Sequence, residues 1–279
     1  MQVFGIDFTS APAKAKPITC AQAQLRGGTL TVHRLEQWED FDEFEALLAA
    51  SHSAICGIDF PFGQPRRLIE ALEWPPHWQD YVGMVAHQSK ATFVAALEAY
   101  SREQPSGEKH HFRATDRAAQ ACSPMMIYGV PVAKMFYEGA TRLAASPISV
   151  LPCRPTDTPQ VAAEVYPGQI ARQVLGRQPY KNDTAATRTQ RTAHRRHLLN
   201  ACQQGSITNL RVRLAAPLAT QIVDDAKGDG LDAVLAALQI ASAYRTHGAG
   251  LGIPSAADPN EGWIVDTPSP NQGSLDREP

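Results

Sequence analysis

Acidic residues end three strand-like stretches of this sequence. Asp7 ends the run FGID, Asp59 ends CGID, and Glu164 interrupts the apolar run AAEVY just before a Pro-Gly turn. Acids are depleted in strands, and burial of an unpaired carboxylate is costly. Ligand sites of mixed sheets gather at the carboxyl ends of parallel strands. The positions of these three acids therefore indicate a site.

Two further acids open the last strong helical stretch, GDGLDAVLAALQIA (228–241). Asp229 and Asp232 are three residues apart and share one helix face. Such a pair fits either capping of the helix N-terminus, where carboxylates are favoured, or a metal site completed by acids from elsewhere. We predict that Asp232 points into the same cleft as Asp7 and Asp59, with Asp229 beside it at the first turn.

Converging carboxylates raise each other's pKa unless a cation neutralises them. Hard oxygen ligands, with no His or Cys close in sequence, select Mg²⁺ or Mn²⁺ rather than Zn²⁺. One or two such ions are predicted, since two ions about 3.5–4 Å apart suit in-line attack on a phosphodiester. The predicted metal ligands are Asp7, Asp59, Glu164, Asp229 and Asp232.

Each of these acids also has a structural explanation. Asp7 and Asp59 precede turn residues that a carboxylate can cap. Glu164 lies inside a strand and fits an ion pair with an arginine equally well. Asp229 fits a simple N-cap, which leaves Asp232 as the better ligand.

Basic and hydroxyl residues supply candidates for binding phosphate. The segment 181–196 is rich in basic residues and overlaps a predicted basic helix over 184–203. Arg188, Arg191 and Arg195 share a face of that helix, which fits either a phosphate backbone or a solvated helix face. Arginines elsewhere fit bidentate contacts with a scissile phosphate, or ion pairs that fasten the fold. The predicted substrate-binding residues are Ser10, Lys14, Arg66, Arg113, Arg117, Arg188, Arg191 and Arg195.

The helices and strands that must position these residues are predicted to form an α/β fold. Three strand-like runs with short connections predict an antiparallel meander over residues 1–35, and AICGIDF (54–60) reads as a buried parallel strand. In the last helix, the large apolar residues are predicted to form one stripe that faces the sheet. We predict one domain over 1–254 with a helical or irregular insertion at about 66–160, and a loose tail over 255–279.

Composition limits the class of protein. The net charge of −2 provides no global basic field, so binding of nucleic acid would need a local patch. Five scattered cysteines without a CxxC pair disfavour a disulfide framework and suit a reducing cytoplasm. No apolar run is long enough to span a bilayer, so a membrane is not an expected partner.

Six motifs in order resemble those of the predicted RNase H-like nucleases catalogued as domain of unknown function four-twenty-nine, in the RNase H-like superfamily. They are GIDF near the start, GIDFPFGQPR (57–66), FRATDRAAQ (112–120), EVYPG (164–168), GDGLDAVLAAL (228–238) and EGWI (261–264). The resemblance implies an RNase H-like mixed sheet flanked by helices. It also implies catalytic roles for Asp7, Asp59 and one or both of Asp229 and Asp232, among which we favour Asp232.

The leading functional hypothesis is a Mg²⁺- or Mn²⁺-dependent nuclease that acts on nucleic acid or another phosphoester. Two alternatives remain open. GIDFTSA resembles the first phosphate loop of sugar kinases and actin-like ATPases, which suggests a nucleotide-binding phosphotransferase. A catalytically inactive module that binds nucleic acid or protein would instead gain stability when Asp59 is replaced by Asn.

Overall fold

A mixed β-sheet forms the centre of the protein in this computed structural model, which describes residues 1–267. Over these residues the sheet has seven strands in the order β5-β6-β4-β1-β2-β3-β7. The antiparallel meander β1–β3 is continued by β4, β6 and β5, which run parallel to β1, and this confirms the predicted fold class. The strands are β1 (Gln2–Asp7), β2 (Ile18–Arg26), β3 (Thr29–Trp38), β4 (Ala54–Asp59), β5 (Ser149–Leu151), β6 (Gln160–Glu164) and β7 (Arg211–Arg213).

Helices cover both faces of the sheet. One apolar cluster lies between the sheet and the C-terminal helices α7–α10, and a second lies between the sheet and the N-terminal helices. The helices are α1 (Asp42–Ala49), α2 (Arg66–Ala71), α3 (Trp78–Ala86), α4 (Lys90–Glu103), α5 (Ala114–Ala119), α6 (Val132–Ala145), α7 (Pro167–Leu175), α8 (Arg188–Gln204), α9 (Ala216–Asp224) and α10 (Asp229–His247).

The segment predicted as an insertion, 66–160, is more regular than its sequence suggested. It forms helices α2 to α6 and adds the edge strand β5 to the sheet. Three of these helices, α3, α4 and α6, bury aromatic residues in the second apolar cluster. The apolar spacing that identifies a helix was masked here by Pro and Met, so α6 in particular was not predicted.

Helix α10 is buried on every side from Gly230 to Ala243. The prediction that one apolar stripe faces the sheet was therefore too narrow. The helix lies between the sheet and a further layer made of α7, α8 and α9. Its many alanines are consistent with this placement, because a small side chain allows close neighbours on all faces.

Two glycines in the sheet determine how closely α10 approaches the sheet. A Cβ added to Gly5 would lie 2.1 Å from the carbonyl oxygen of Ala233, and one added to Gly57 would lie 2.8 Å from that of Ala236. The helix backbone thus rests directly on the ends of β1 and β4. This contact places the start of α10 beside the carboxyl ends of both strands.

Gly5→Ala is expected to destabilise the protein by roughly 2 kcal/mol or more, because the added methyl group overlaps the α10 backbone in a tightly packed core. Gly83→Ala in α3 is the matched control, since nothing lies within 4 Å of its added Cβ. That variant should gain about 0.5–1 kcal/mol from helix propensity. Urea unfolding measures both changes, and similar effects at the two sites would contradict the proposed close approach.

The C-terminal segment corrects a further prediction. Residues 255–267 were expected to be part of a loose tail, yet most of residues 258–267 pack against the protein. Ile264 pairs with Glu164 in a parallel β-bridge, Val265 is fully buried, and the Tyr81 hydroxyl donates to the Asn260 carbonyl at 2.7 Å. The remainder of the predicted tail, 268–279, lies outside the described residues.

Candidate metal centre

The strands β1 and β4 bring two of the predicted acids together. Each strand ends in the sequence Gly-Ile-Asp, and the two run parallel in register, so that Gly5 pairs with Gly57 and Asp7 with Asp59. Side chains alternate between the two faces of a strand. Because both glycines contact α10, the aspartates two residues later point to the same face of the sheet.

Helix α10 contributes the third acid. Gly228, with a φ of 78°, precedes the first helical residue, Asp229, and the following turn directs Asp232 toward the strand ends. Single carboxylate oxygens of Asp7, Asp59 and Asp232 all lie within 4.8 Å of one another. The predicted convergence of these three residues is therefore found in the structure, and we call them the acidic triad.

The acidic triad has the donor chemistry of a hard divalent cation site, because three carboxylate oxygens converge at one point. Burial, followed by repulsion from nearby acids, raises the pKa of two of its members. The pKa of Asp7 is raised to about 7, chiefly by burial and also by Asp229, although Lys181 opposes the change. The pKa of Asp59 is raised to about 8 by burial and then by the neighbouring Asp7. A cation would relieve this repulsion, so the residues present fit a metal ion.

The raised pKa values predict how pH affects stability. The protonated forms of Asp7 and Asp59 favour the folded state, so their contribution is fully present below about pH 3.8 and is lost as pH rises through about 7 and then 8. Divalent metal must compete with the same protons. Thermal unfolding should therefore show Mg²⁺ stabilising the protein more at pH 8.5 than at pH 6. An equal rise in melting temperature on addition of Mg²⁺ at both pH values would contradict binding of Mg²⁺ by these carboxylates.

A lysine and a tyrosine that were not predicted as site residues contact the acidic triad. Lys181 Nζ forms an ion pair with Asp232 Oδ2, and the Tyr180 hydroxyl donates to Asp232 Oδ1 at 2.6 Å. The lysine reaches the site past Gly228, where an added Cβ would lie 2.9 Å from Lys181 Cγ. The sequence signal was the basic run that begins at Lys181, but this run was interpreted as either a phosphate-binding stripe or a solvated helix face.

Helix α8 holds the loop that presents these two residues. Arg195 is fully buried and donates to the Tyr180 carbonyl at 2.8 Å and to Asp183 at 2.8 and 2.9 Å. Arg191 donates to the Lys181 carbonyl at 2.8 Å. Both arginines were predicted to bind substrate, and the structure instead uses them to fix the loop. Arg188, the third member of that predicted stripe, is exposed.

Glu164 does not join the acidic triad, in contrast to its prediction as a metal ligand. In the register of β4 and β6, Glu164 pairs with Ile58 rather than with Asp59. Its side chain therefore points to the opposite face of the sheet from the triad. There it accepts two hydrogen bonds from Arg113, at 2.6 and 2.8 Å, within a buried cluster that also contains Asp116. The arginine partner was the alternative explanation for Glu164.

Asp229, the fifth predicted ligand, lies at the first turn of α10, as expected. It is partly buried, and its pKa is raised by burial and then by the nearby Asp225. Asp225 in turn accepts a hydrogen bond from the Gly230 N–H at 3.0 Å. Asp229 is thus close enough to influence Asp7 electrostatically but is not a member of the triad.

The other predicted substrate-binding residues are engaged elsewhere or lie on the surface. Arg66 forms a bidentate pair with Asp258 at 2.7 and 2.6 Å. Arg113 is buried in its ion pairs, and Ser10 is buried with its carbonyl accepting from Lys90 at 3.3 Å. Lys14 and Arg117 are exposed.

Lys181→Met is expected to tighten Mg²⁺ binding roughly two- to fivefold, because the wild-type protein must first break a partly exposed ion pair worth about 0.5–1 kcal/mol. Isothermal titration calorimetry at pH 9, where the carboxylates are ionised, measures the change. Lys14→Met, at an exposed site, serves as the matched control and should bind as the wild type does. Unchanged or weaker binding by Lys181→Met would show that the lysine does not compete with the metal.

Comparison with known families identifies the group to which the chain is related. The family described as "Protein of unknown function (DUF429)" matches residues 5–258, which include the whole acidic triad and Lys181. The chain belongs to this family. The resemblance of the sequence motifs to domain of unknown function four-twenty-nine is thereby confirmed. Among curated proteins and among solved structures, no significant match was found.

Over residues 1–267, no helix combines the length and apolar character needed to cross a bilayer.

Proposed function

We propose that this protein is a divalent-metal-dependent phosphodiesterase with an RNase H-like fold. The observation that carries the proposal is the convergence of Asp7, Asp59 and Asp232 at the carboxyl ends of β1 and β4 and the start of α10. An antiparallel meander followed by parallel strands is compatible with that fold. The free state of all five cysteines fits a reducing cytoplasm, which we include in the proposal.

Asp7, Asp59 and Asp232 would hold the metal, for which Mg²⁺ and Mn²⁺ are the best candidates given an all-oxygen donor set. When bound, one or two such ions would stabilise charge on the phosphoryl group and favour ionisation of the attacking water. Asp229, in the first turn of α10, would hold a water molecule or a second ion.

The residues around the triad would orient the ester. The Tyr180 hydroxyl keeps Asp232 oriented through its hydrogen bond. Lys181, once released from Asp232, is placed to pair with a non-bridging phosphate oxygen. In the reaction, the water oxygen bonds to phosphorus while the bond from phosphorus to the leaving oxygen breaks. Water loses one proton and the leaving alkoxide gains one, giving a phosphomonoester and an alcohol.

The test is incubation of the purified protein with Mn²⁺ or Mg²⁺ and end-labelled DNA, RNA, hybrid and branched substrates, together with a small aryl phosphodiester. The proposal expects metal-dependent cleavage of at least one of them, and loss of that cleavage in Asp59→Asn. Absence of cleavage across the whole panel, with a folded protein that binds Mn²⁺, would reject hydrolysis as the function.

The ion pair between Lys181 and Asp232 favours a second candidate, a non-catalytic module. In that case the lysine ammonium would replace the metal permanently and the triad would serve stability. The two candidates differ in one simple measurement. Mn²⁺ raises the melting temperature of a metal-dependent enzyme, whereas a module closed by Lys181 shows no such shift.

A further inference from the structure

A cavity of about 320 Å³ opens beside the acidic triad. Asp59, Asp232 and Lys181 form part of its lining, so its polar end is the candidate metal centre. Val132 and Met135, at the start of α6, line it as well. Helix α6, which the sequence did not reveal, therefore contributes directly to the proposed site.

Part of the remaining lining has a different chemical character from the triad, although the mutually paired side chains of Arg113, Asp116 and Glu164 also line the cavity. Val130, Val132, Met135 and Ile264 present apolar side chains to the cavity. Small-molecule sites combine an apolar wall with a few polar groups that fix orientation. A ligand that matches this lining has an anionic group at one end and an apolar or planar group at the other.

The cavity volume limits the size of the group that enters it. Ligand pockets span about 300–1,000 Å³, and this cavity lies at the lower end of that range. It accommodates one ring-bearing group of nucleoside size. A nucleic acid duplex, by contrast, is too wide to enter the cavity.

Most of the arginines predicted to bind phosphate are engaged within the protein. A protein that tracks a polynucleotide neutralises several phosphates with free Lys and Arg side chains. Here Arg66, Arg113 and Arg195 are held in bidentate pairs with acids, and Arg191 donates to backbone carbonyls. Lys181 lines the cavity and pairs with Asp232 of the triad.

We propose that the cavity binds the ring-bearing group of a single nucleotide-sized phosphodiester whose phosphate lies at the acidic triad. This inference rests on the proposed function and specifies its substrate class. Hydrolysis then joins the water oxygen to phosphorus, breaks one phosphorus–ester oxygen bond, and returns a proton to the leaving oxygen. The nucleotide can come from a free small diester or from the end of a single strand.

Two esters with the same leaving group test this proposal: thymidine 5′-(4-nitrophenyl) phosphate and methyl 4-nitrophenyl phosphate, each with Mn²⁺. The nucleoside ester should show at least about tenfold higher kcat/KM, since burial of an aromatic group is worth about 1.5–3 kcal/mol. Met135→Trp fills the cavity and should lower kcat/KM for the nucleoside ester, chiefly through KM, by a larger factor than for the methyl ester. Met84→Trp, outside the cavity, is the matched control and should behave as the wild type does.

Val130→Trp provides a second cavity variant whose folding is not at risk, because Val130 is 54% exposed. Equal kcat/KM for the two esters, or an unchanged nucleoside preference in both cavity variants, would overturn the substrate class while leaving hydrolysis intact. If no ester is cleaved, hydrolysis fails, and calorimetric binding of thymidine 5′-monophosphate with Mn²⁺ decides the cavity proposal separately. Binding by the wild type that Met135→Trp abolishes supports it, and absence of binding by the wild type rejects it.

Linear and circular single-stranded DNA distinguish the two sources of the nucleotide. Cleavage of linear but not circular strands would identify a strand end as the substrate. Cleavage of the nucleoside ester alone would identify a free diester. Cleavage of circular or duplex DNA faster than the nucleoside ester would contradict the proposal.

Discussion

Asp7→Asn is expected to lower metal-dependent hydrolysis by about 10³-fold or more, while the metal-free protein becomes more stable. The variant removes a charged ligand from the centre of the triad, so neither the metal nor the charge of the reacting phosphoryl group is properly held. At pH 8, loss of a buried charge with a pKa near 7 should stabilise the metal-free fold by roughly 1–3 kcal/mol. This range follows from about 1.4 kcal/mol for each pH unit by which the pKa of Asp7 is raised. It is reduced because Asp7 is partly exposed.

Initial rates and urea unfolding, both at pH 8, measure the two effects of Asp7→Asn. Asp42→Asn is the matched control, because Asp42 lies in the first turn of α1, away from the triad. It should retain wild-type activity. A fall in both stability and activity for Asp7→Asn would indicate that Asp7 is a structural residue, which contradicts the metal-site interpretation.

Arg113→Met is expected to destabilise the protein by about 3–5 kcal/mol, since removal of one partner from a buried ion pair leaves uncompensated charge. Arg113 is 1% exposed and pairs at 2.6 Å with both Glu164 and Asp116. It also donates to the Glu261 carbonyl at 2.8 Å, so it fastens α5, β6 and the C-terminal segment together. Chemical denaturation measures the loss.

Arg117→Met, at an exposed position of the helix α5 that follows Arg113, provides the control for Arg113→Met and should change stability by less than about 0.5 kcal/mol. The double variant Arg113→Met with Glu164→Gln should recover part of the loss, because the neutral amide no longer needs a cation. A loss under 1 kcal/mol for Arg113→Met, or the absence of recovery in the double variant, would show that the cluster is not held by its charges.

The sequence located the acidic triad because its signals are local. Strand-end acids were visible as breaks in apolar runs, and the spacing of Asp229 and Asp232 placed them on one helix face. Parallel strands share their carboxyl edge, so convergence of Asp7 and Asp59 followed from strand direction alone.

The predictions from sequence that were wrong concern features that depend on tertiary structure. The face to which Glu164 points is determined by the register of β6 against β4, and a shift of one residue would reverse it. Arg191 and Arg195 form a basic stripe by spacing, but their role depends on the loop that folds onto α8. That loop also brings Lys181 to Asp232 across about fifty residues of sequence, and no local pattern encodes such a contact.

The central claim is that Asp7, Asp59 and Asp232 hold a divalent metal ion. Anomalous diffraction from crystals grown with MnCl₂ tests it most directly. The account predicts an anomalous peak bonded to oxygens of all three carboxylates at about 2.0–2.3 Å, with Lys181 Nζ moved away from Asp232. A fully ordered site with no peak, in which Lys181 still pairs with Asp232, would contradict it.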